Sequence, residues 1–214
     1  MIRVFKNNDA PKSLAKHTSW DEKDVIEQLQ TDQHGKCYLC ERVQITDFQV
    51  EHLKSRDNSS IFTYEWTNLF WACSYCNGKK SSSFDNLLNP AAKNIEDLIH
   101  QSFDFPNANV VFSSNGTSSE EITSTISLLD RIFNGTNRLR TIREQRFYDY
   151  AMSRITSFQK MVTDWLSDNS KENKDAIIEE LNIKSELLGF KYWIIKSNEL
   201  LFKTFGEYII WNKQ

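Results

Sequence analysis

A chain of 214 residues with 39% hydrophobic and 13% aromatic content buries a full core, enough for one large domain or a small one with an appendage. Its formal net charge of -3 argues against a protein that coats nucleic acid, and no apolar run reaches the ~18 residues of a membrane span. The opening "MIRVFKNNDAPK" holds no apolar stretch that would serve as a signal peptide, so the expected location is the cytoplasm.

In chain order, "SWDEKDVIEQLQ" places Ser19 and Glu22 at capping-box spacing and predicts a short helix within residues 1–36, packing on residues 37–90. "DFQVEHLKSR" alternates Phe48, Val50 and His52 with Gln49 and Glu51, the period of a strand. After the polar turn "RDNSS", "YEWTNLFWAC" is aromatic-rich and again strand-like, and "NGKKSSSF" opens a short helix. Beyond "LLNP", "AAKNIEDLIHQ" predicts another short helix, "NVVF" a strand and "SSNGTSS" a loop or hinge.

From Ser118, which forms a second capping box with Glu121, the pattern turns helical and puts Ile122, Ile126, Leu129 and Phe133 on one face. Tyr148, Ala151, Ile155, Phe158, Val162 and Trp165 then step by three and four, a stripe about 18 residues or ~27 Å long. "SDNSKENKD" interrupts it, and a further helix carries Ile177, Ile178, Leu181 and Leu188. The aromatic C-terminal stretch reads as internal core, with an exposed docking patch as the alternative.

All four cysteines belong to two CxxC pairs, Cys37 with Cys40 and Cys73 with Cys76. A reducing compartment disfavours disulfides, whereas closely spaced thiolate pairs suit tetrahedral Zn²⁺; a redox motif is the weaker alternative. The 32 residues between the pairs exceed a simple zinc ribbon, so something else is housed there. Between residues 36 and 80, six Lys and Arg stand against five Asp and Glu, leaving room for a few placed phosphate contacts.

"CYLC", "VEH", "TNL" and "ACSYCNGKK", in this order, resemble the HNH endonucleases of the His-Me finger superfamily in their double-CxxC form. The resemblance covers residues 37 to about 85. It implies a ββα-metal finger with structural zinc at 37–90; with the patterns above, the expected fold is α+β, mostly helical, with a connecting region at 91–117 and a helical region at 118–214. The resemblance also implies that Cys37, Cys40, Cys73 and Cys76 hold the zinc. His52 would be the general base, and Asn68 would hold it in place. Glu51 and Asn77 would be ligands of a catalytic Mg²⁺ or Mn²⁺, which prefer oxygen donors. Lys80, Lys79, Arg56 and Lys54 match or neighbour the family's basic position and would contact phosphates. The chain departs from many relatives at Ser55, where they carry proline, and at Asn77, where they carry a histidine. His17, His34 and His100 read as ordinary polar residues, with His34 a minor candidate at the edge of the site.

"MIRVFK", the "NP" after the finger and "TISLLDRIFNGTNRLRTIRE" resemble the HNH subunits of Septu anti-phage systems, the PtuB-type proteins. That resemblance implies DNA cleavage in partnership with an ABC/OLD-type ATPase, PtuA-like, that supplies part of the nucleic-acid grip. The alternatives are a zinc-ribbon module binding nucleic acid or protein without catalysis, and an RNA nuclease acting on tRNA.

Overall fold

The computed structural model describes every residue except 44, 45, 59, 138 and 212–214. It is a mostly helical fold with two small antiparallel two-stranded sheets. Among the described residues no helix is long and apolar enough to cross a membrane.

The first helix, α1 (Lys23–Asp32), forms where expected but without its capping box. Glu22 is the N-cap and makes no side-chain cap, while Ser19, three residues before it, donates to Asp21 instead. Past α1, His34 and Gly35 turn left-handed, and the Gly35 N–H closes on the Gln30 carbonyl at 2.8 Å. That turn delivers Gln33, Lys36 and Cys37 to the first cysteine pair.

Strand β1 (Phe48–His52) pairs antiparallel with β2 (Leu69–Cys73), with Phe48 opposite Cys73 and His52 opposite Leu69. All five β2 residues are buried, as an apolar run with both faces covered requires. The expected strand at "YEWTNLFWAC" is shorter than its aromatic content suggests, because Trp66–Asn68 coil into a 3₁₀ turn. Helix α2 (Ser74–Lys80) begins before the last cysteine, so Cys76 and Asn77 lie inside it.

The stretch after "LLNP" divides differently from the expectation. The predicted helix shrinks to one turn, α3 (Ile95–Leu98), and the chain goes straight into β3 (Ile99–Asp104), which pairs with β4 (Asn109–Ser114). "LIHQSF" has no strong strand signature by itself. Pairing with "NVVF" decides the matter, as tertiary context commonly does for short segments.

Helix α4 (Glu120–Asn134) is capped by Ser119, one residue later than expected, its hydroxyl accepting from the Ile122 N–H. Helix α5 (Ile142–Ser167) buries all six residues of the predicted stripe. Full burial of a large apolar side chain stabilises by about 1.5–3 kcal/mol, so such a stripe fixes α5 in the core. Leu181 and Leu188 do not share a helix with Ile177: α6 (Lys171–Glu180) stops before Leu181, and Leu188 starts α7 (Leu188–Lys196). The C-terminal aromatics are mainly internal. Trp193, Phe205 and Trp211 are buried in this region, while Leu200, Phe202 and Ile210 are exposed around α8 (Glu199–Phe205).

One apolar cluster contains the four cysteines together with Tyr75, Phe133, Phe147 and Phe190. Tyr75 stacks on Phe147 with centroids 4.6 Å apart, and its hydroxyl donates to the Ile132 carbonyl at 2.7 Å. Helix α2 is thereby packed on α4 and α5.

Polar contacts form a second seam between the cysteine turn and the C-terminal helices. The Glu41 carboxylate accepts from the N–H groups of Leu188 at 2.7 Å and Gly189 at 3.2 Å, capping α7, and pairs with the buried Met1 ammonium at 2.7 Å. The Val43 N–H donates to Glu186 at 2.7 Å and the Lys36 ammonium to the Ser185 carbonyl at 3.1 Å.

Nearby, Glu96 is fully buried and accepts from the Arg3 N–H at 2.9 Å. Burial pushes its pKa up to about 7 although the Arg3 contact opposes the shift. A carboxyl raised from 4.5 contributes fully below that pH and loses its contribution as the pH climbs to about 7. Thermal midpoints measured from pH 4.5 to 7.5 are expected to fall with pH over this window. In Glu96→Gln that part of the slope should vanish; an unchanged slope would contradict the assignment.

Candidate metal centre and adjoining cleft

Two turns build the cysteine centre. In the first, the Glu41 N–H bonds the Cys37 carbonyl at 2.8 Å, and Glu41 itself is left-handed at φ 59°. The Tyr38 N–H reaches the Trp71 carbonyl at 3.0 Å, docking this turn on β2. Gln33 reinforces the join: its amide accepts from the Trp71 N–H at 2.7 Å and donates to the Trp71 carbonyl at 2.8 Å. In the second turn, Cys73 ends β2 and serves as N-cap of α2, its sulfur accepting from the Cys76 N–H at 3.4 Å.

The four sulfurs lie within 4.8 Å of one another, all on buried residues, and none is in a disulfide. Cys40 and Cys73 sulfurs are 3.9 Å apart. A tetrahedron with Zn–S bonds near 2.3 Å separates its sulfurs by about 3.8 Å, so the cluster has the dimensions of a structural zinc site. Burial pushes the Cys40 and Cys76 thiols well above their ordinary range, whereas hydrogen bonds from Cys37, Cys40 and Cys76 pull Cys73 down. Only a central cation would let four such close thiols ionise together.

Beside this centre, Glu51, His52, Ser55, Arg56, Asn77 and Ser81 line a cleft of about 200 Å³. The β1 alternation breaks at its end, where Glu51 and His52 are both buried. The His52 Nε2 lies 2.9 Å from the Thr63 carbonyl. A carbonyl only accepts, so Nε2 carries the hydrogen and the neutral ring keeps its lone pair on Nδ1. Burial, with the charges of Arg56 and Lys80, lowers the His52 pKa against the opposing Thr63 contact, which favours the neutral form.

Asn68 is buried and fully employed. Its oxygen accepts from the Lys54 N–H at 2.8 Å, and its nitrogen donates to the carbonyls of Lys54 and Phe62, each at 3.1 Å. It ties Lys54, two residues beyond His52, to Phe62, one residue before Thr63. Asn77 also faces the cleft, with its nitrogen donating to Gln49 at 2.5 Å.

The four basic residues separate into two kinds. Lys80 is fully buried and pairs with Glu51 at 2.9 Å, while burial pushes the Glu51 carboxyl up against that pairing. Lys79 pairs with Glu144 and donates to Thr136 at 2.8 Å, joining α2 to the start of α5. Both of these lysines, expected to contact phosphates, are thus held in ion pairs. Arg56 and Lys54 are exposed, with Arg56 3.8 Å above the Trp20 ring and Lys54 4.9 Å above Phe62. His34 does not line this cleft; it borders a larger cavity of about 590 Å³ with Phe5, Leu181, Tyr208 and Trp211.

Gln33 and Glu41 escaped the reading of the sequence. Glu41 did carry a signal, an acid placed directly after a cysteine pair in a turn that becomes buried. Compared with known proteins, the chain matches no family model and no curated sequence. What stands is a buried four-cysteine cluster able to chelate a metal ion, which by itself fits a zinc-binding module.

Proposed function

We propose that this zinc-clamped module is a ββα-metal finger of the HNH kind, and that the cleft beside the clamp hydrolyses phosphodiester bonds, with DNA as substrate. The observation that carries the reading is the gathering of Glu51, His52 and Asn77 in one cleft, with the His52 lone pair on Nδ1. A neutral imidazole held by one nitrogen accepts a proton from water at the other. Asn68 keeps the loop around it in register. The Glu51 carboxylate and the Asn77 amide oxygen are the hard donors that Mg²⁺ or Mn²⁺ takes, and such an ion would supply charge to stabilise the leaving oxygen. Arg56 and Lys54, both exposed, are the candidates for phosphate contact. The net charge of -3 fits a nuclease subunit that borrows nucleic-acid grip from a PtuA-like ATPase, docked on the helical region 118–214.

A zinc module without catalysis is the second reading, favoured by the Glu51–Lys80 pair, which already neutralises the carboxylate a catalytic ion would need. Plasmid DNA and tRNA incubated with Mg²⁺ or Mn²⁺, with and without the partner ATPase, separate the readings. Wild type is expected to cut, and His52→Ala to lose about a hundredfold or more in rate while keeping its zinc and its fold. Cleavage by neither protein under any of these conditions would favour the binding module, and cleavage of tRNA alone would move the substrate to RNA.

A further inference from the structure

The residues between the 3₁₀ turn at Lys12–Lys16 and α1 lie against the cleft from outside the finger. His17 stacks on Tyr64, with centroids 4.9 Å apart and planes 3° from parallel, and Tyr64 adjoins the Thr63 whose carbonyl receives the His52 hydrogen. Trp20 meets the His52 ring edge-on at 5.6 Å and carries the Arg56 guanidinium 3.8 Å above its own ring. It is itself packed against the apolar cluster of Leu14, Val25, Leu29 and Trp66.

We propose that Trp20 is a positioning residue for the cleft, holding the His52 imidazole and the Arg56 guanidinium in place. A hydrogen bond from Nε2 fixes one point of the imidazole but not its plane; an edge contact from a packed indole supplies the missing restraint. Arg56 is exposed and long, and an exposed arginine samples many rotamers. Stacking on an aromatic face selects one and leaves the guanidinium edges free to donate to an anion. The N-terminal segment therefore completes the site and does more than cover the finger. The kinetic part of this inference rests on the hydrolytic reading above, and the geometric part does not.

The test uses the full, zinc-loaded chain with Trp20→Leu, which keeps apolar bulk in the cluster, and Trp20→Phe, which restores a ring. The imidazole ¹⁵N shifts of His52, which report the Nε2 hydrogen and its bond to Thr63 over a range far wider than any ring-current effect, are expected to move in Trp20→Leu and to return most of the way in Trp20→Phe. In plasmid cleavage with Mn²⁺, Trp20→Leu should lower kcat about tenfold through loss of base orientation. It should also raise KM about two- to fivefold through loss of the arginine stack. Trp20→Phe should recover most of both losses.

Unmoved His52 shifts together with unchanged kcat in Trp20→Leu would overturn the inference. If wild type cuts nothing, the hydrolytic reading falls, and the His52 shifts alone decide whether Trp20 positions the ring. Should Trp20→Leu fail to fold, the exposed change Arg56→Ala tests the stack from its other side. It is expected to shift the Trp20 indole protons and raise KM with kcat held, and an unmoved indole would sink the proposal.

Discussion

Cys37→Ser is expected to yield a chain that binds no zinc at neutral pH and has lost most of its folded population. A structural zinc in a small module contributes on the order of 10 kcal/mol of apparent folding free energy, comparable to the whole stability of an ordinary domain. The cysteines are not a peripheral decoration here. They sit in the same apolar cluster as Phe133, Phe147 and Phe190, so loosening them opens the packing of α2 against α4 and α5. Metal content by mass spectrometry and a thermal melt by circular dichroism check this, and chelation of the wild type should reproduce the variant. A Cys37→Ser protein that melts like wild type without zinc would refute the structural role.

Glu41→Ala is expected to destabilise the fold by about 3–5 kcal/mol, the usual cost of removing one partner from a buried charge pair. The substitution removes the counter-charge of the Met1 ammonium, which keeps its 2.9 Å bond to the Gln101 amide oxygen, and leaves the Leu188 and Gly189 N–H groups without their acceptor. Burial opposes ionisation of Glu41, yet the N-terminal ammonium, Lys36 and the Gly189 amide together hold its carboxyl below the ordinary range. That depression sets the sign. The contribution of Glu41 is fully present above the unfolded value near 4.5 and is lost as the pH falls through the lower folded value. Urea melts at pH 7 should show the loss in Glu41→Ala, and the acid limb of the stability profile should be shallower than in wild type. A midpoint shift within experimental error would mean that the seam carries little.

The four-cysteine cluster was legible in the sequence because its chemistry is local: two pairs, two residues apart within each, need only a fold that brings four sulfurs together. Strand β1 and the α5 stripe were legible for a similar reason, since alternation and helical stepping are properties of a short window. Strand β3 was not, because "LIHQSF" becomes a strand through its ladder to β4. The capping box at Ser19 shows the reverse error: the local spacing matched, but the helix starts later, with Glu22 as its N-cap. Gln33 and Glu41 act across 38 and 147 residues of chain, and no local pattern announces a partner that distant. The lysines of "NGKK" could be seen as charges but not as ion-pair partners, for Glu51 and Glu144 reach them only once β1, α2 and α5 are assembled.

The left-handed residue directly after the first cysteine pair also joins parts of the chain far apart in sequence. Glu41 is covalently one step from Cys40 and, through its two oxygens, grips the first turn of α7. No residue intervenes between the cysteine pair and the carboxylate that caps α7, so the cysteine turn and α7 share one anchoring side chain. Because the same carboxylate also pairs with the Met1 ammonium, Met1, the cysteine turn and the start of α7 meet at a single buried charge.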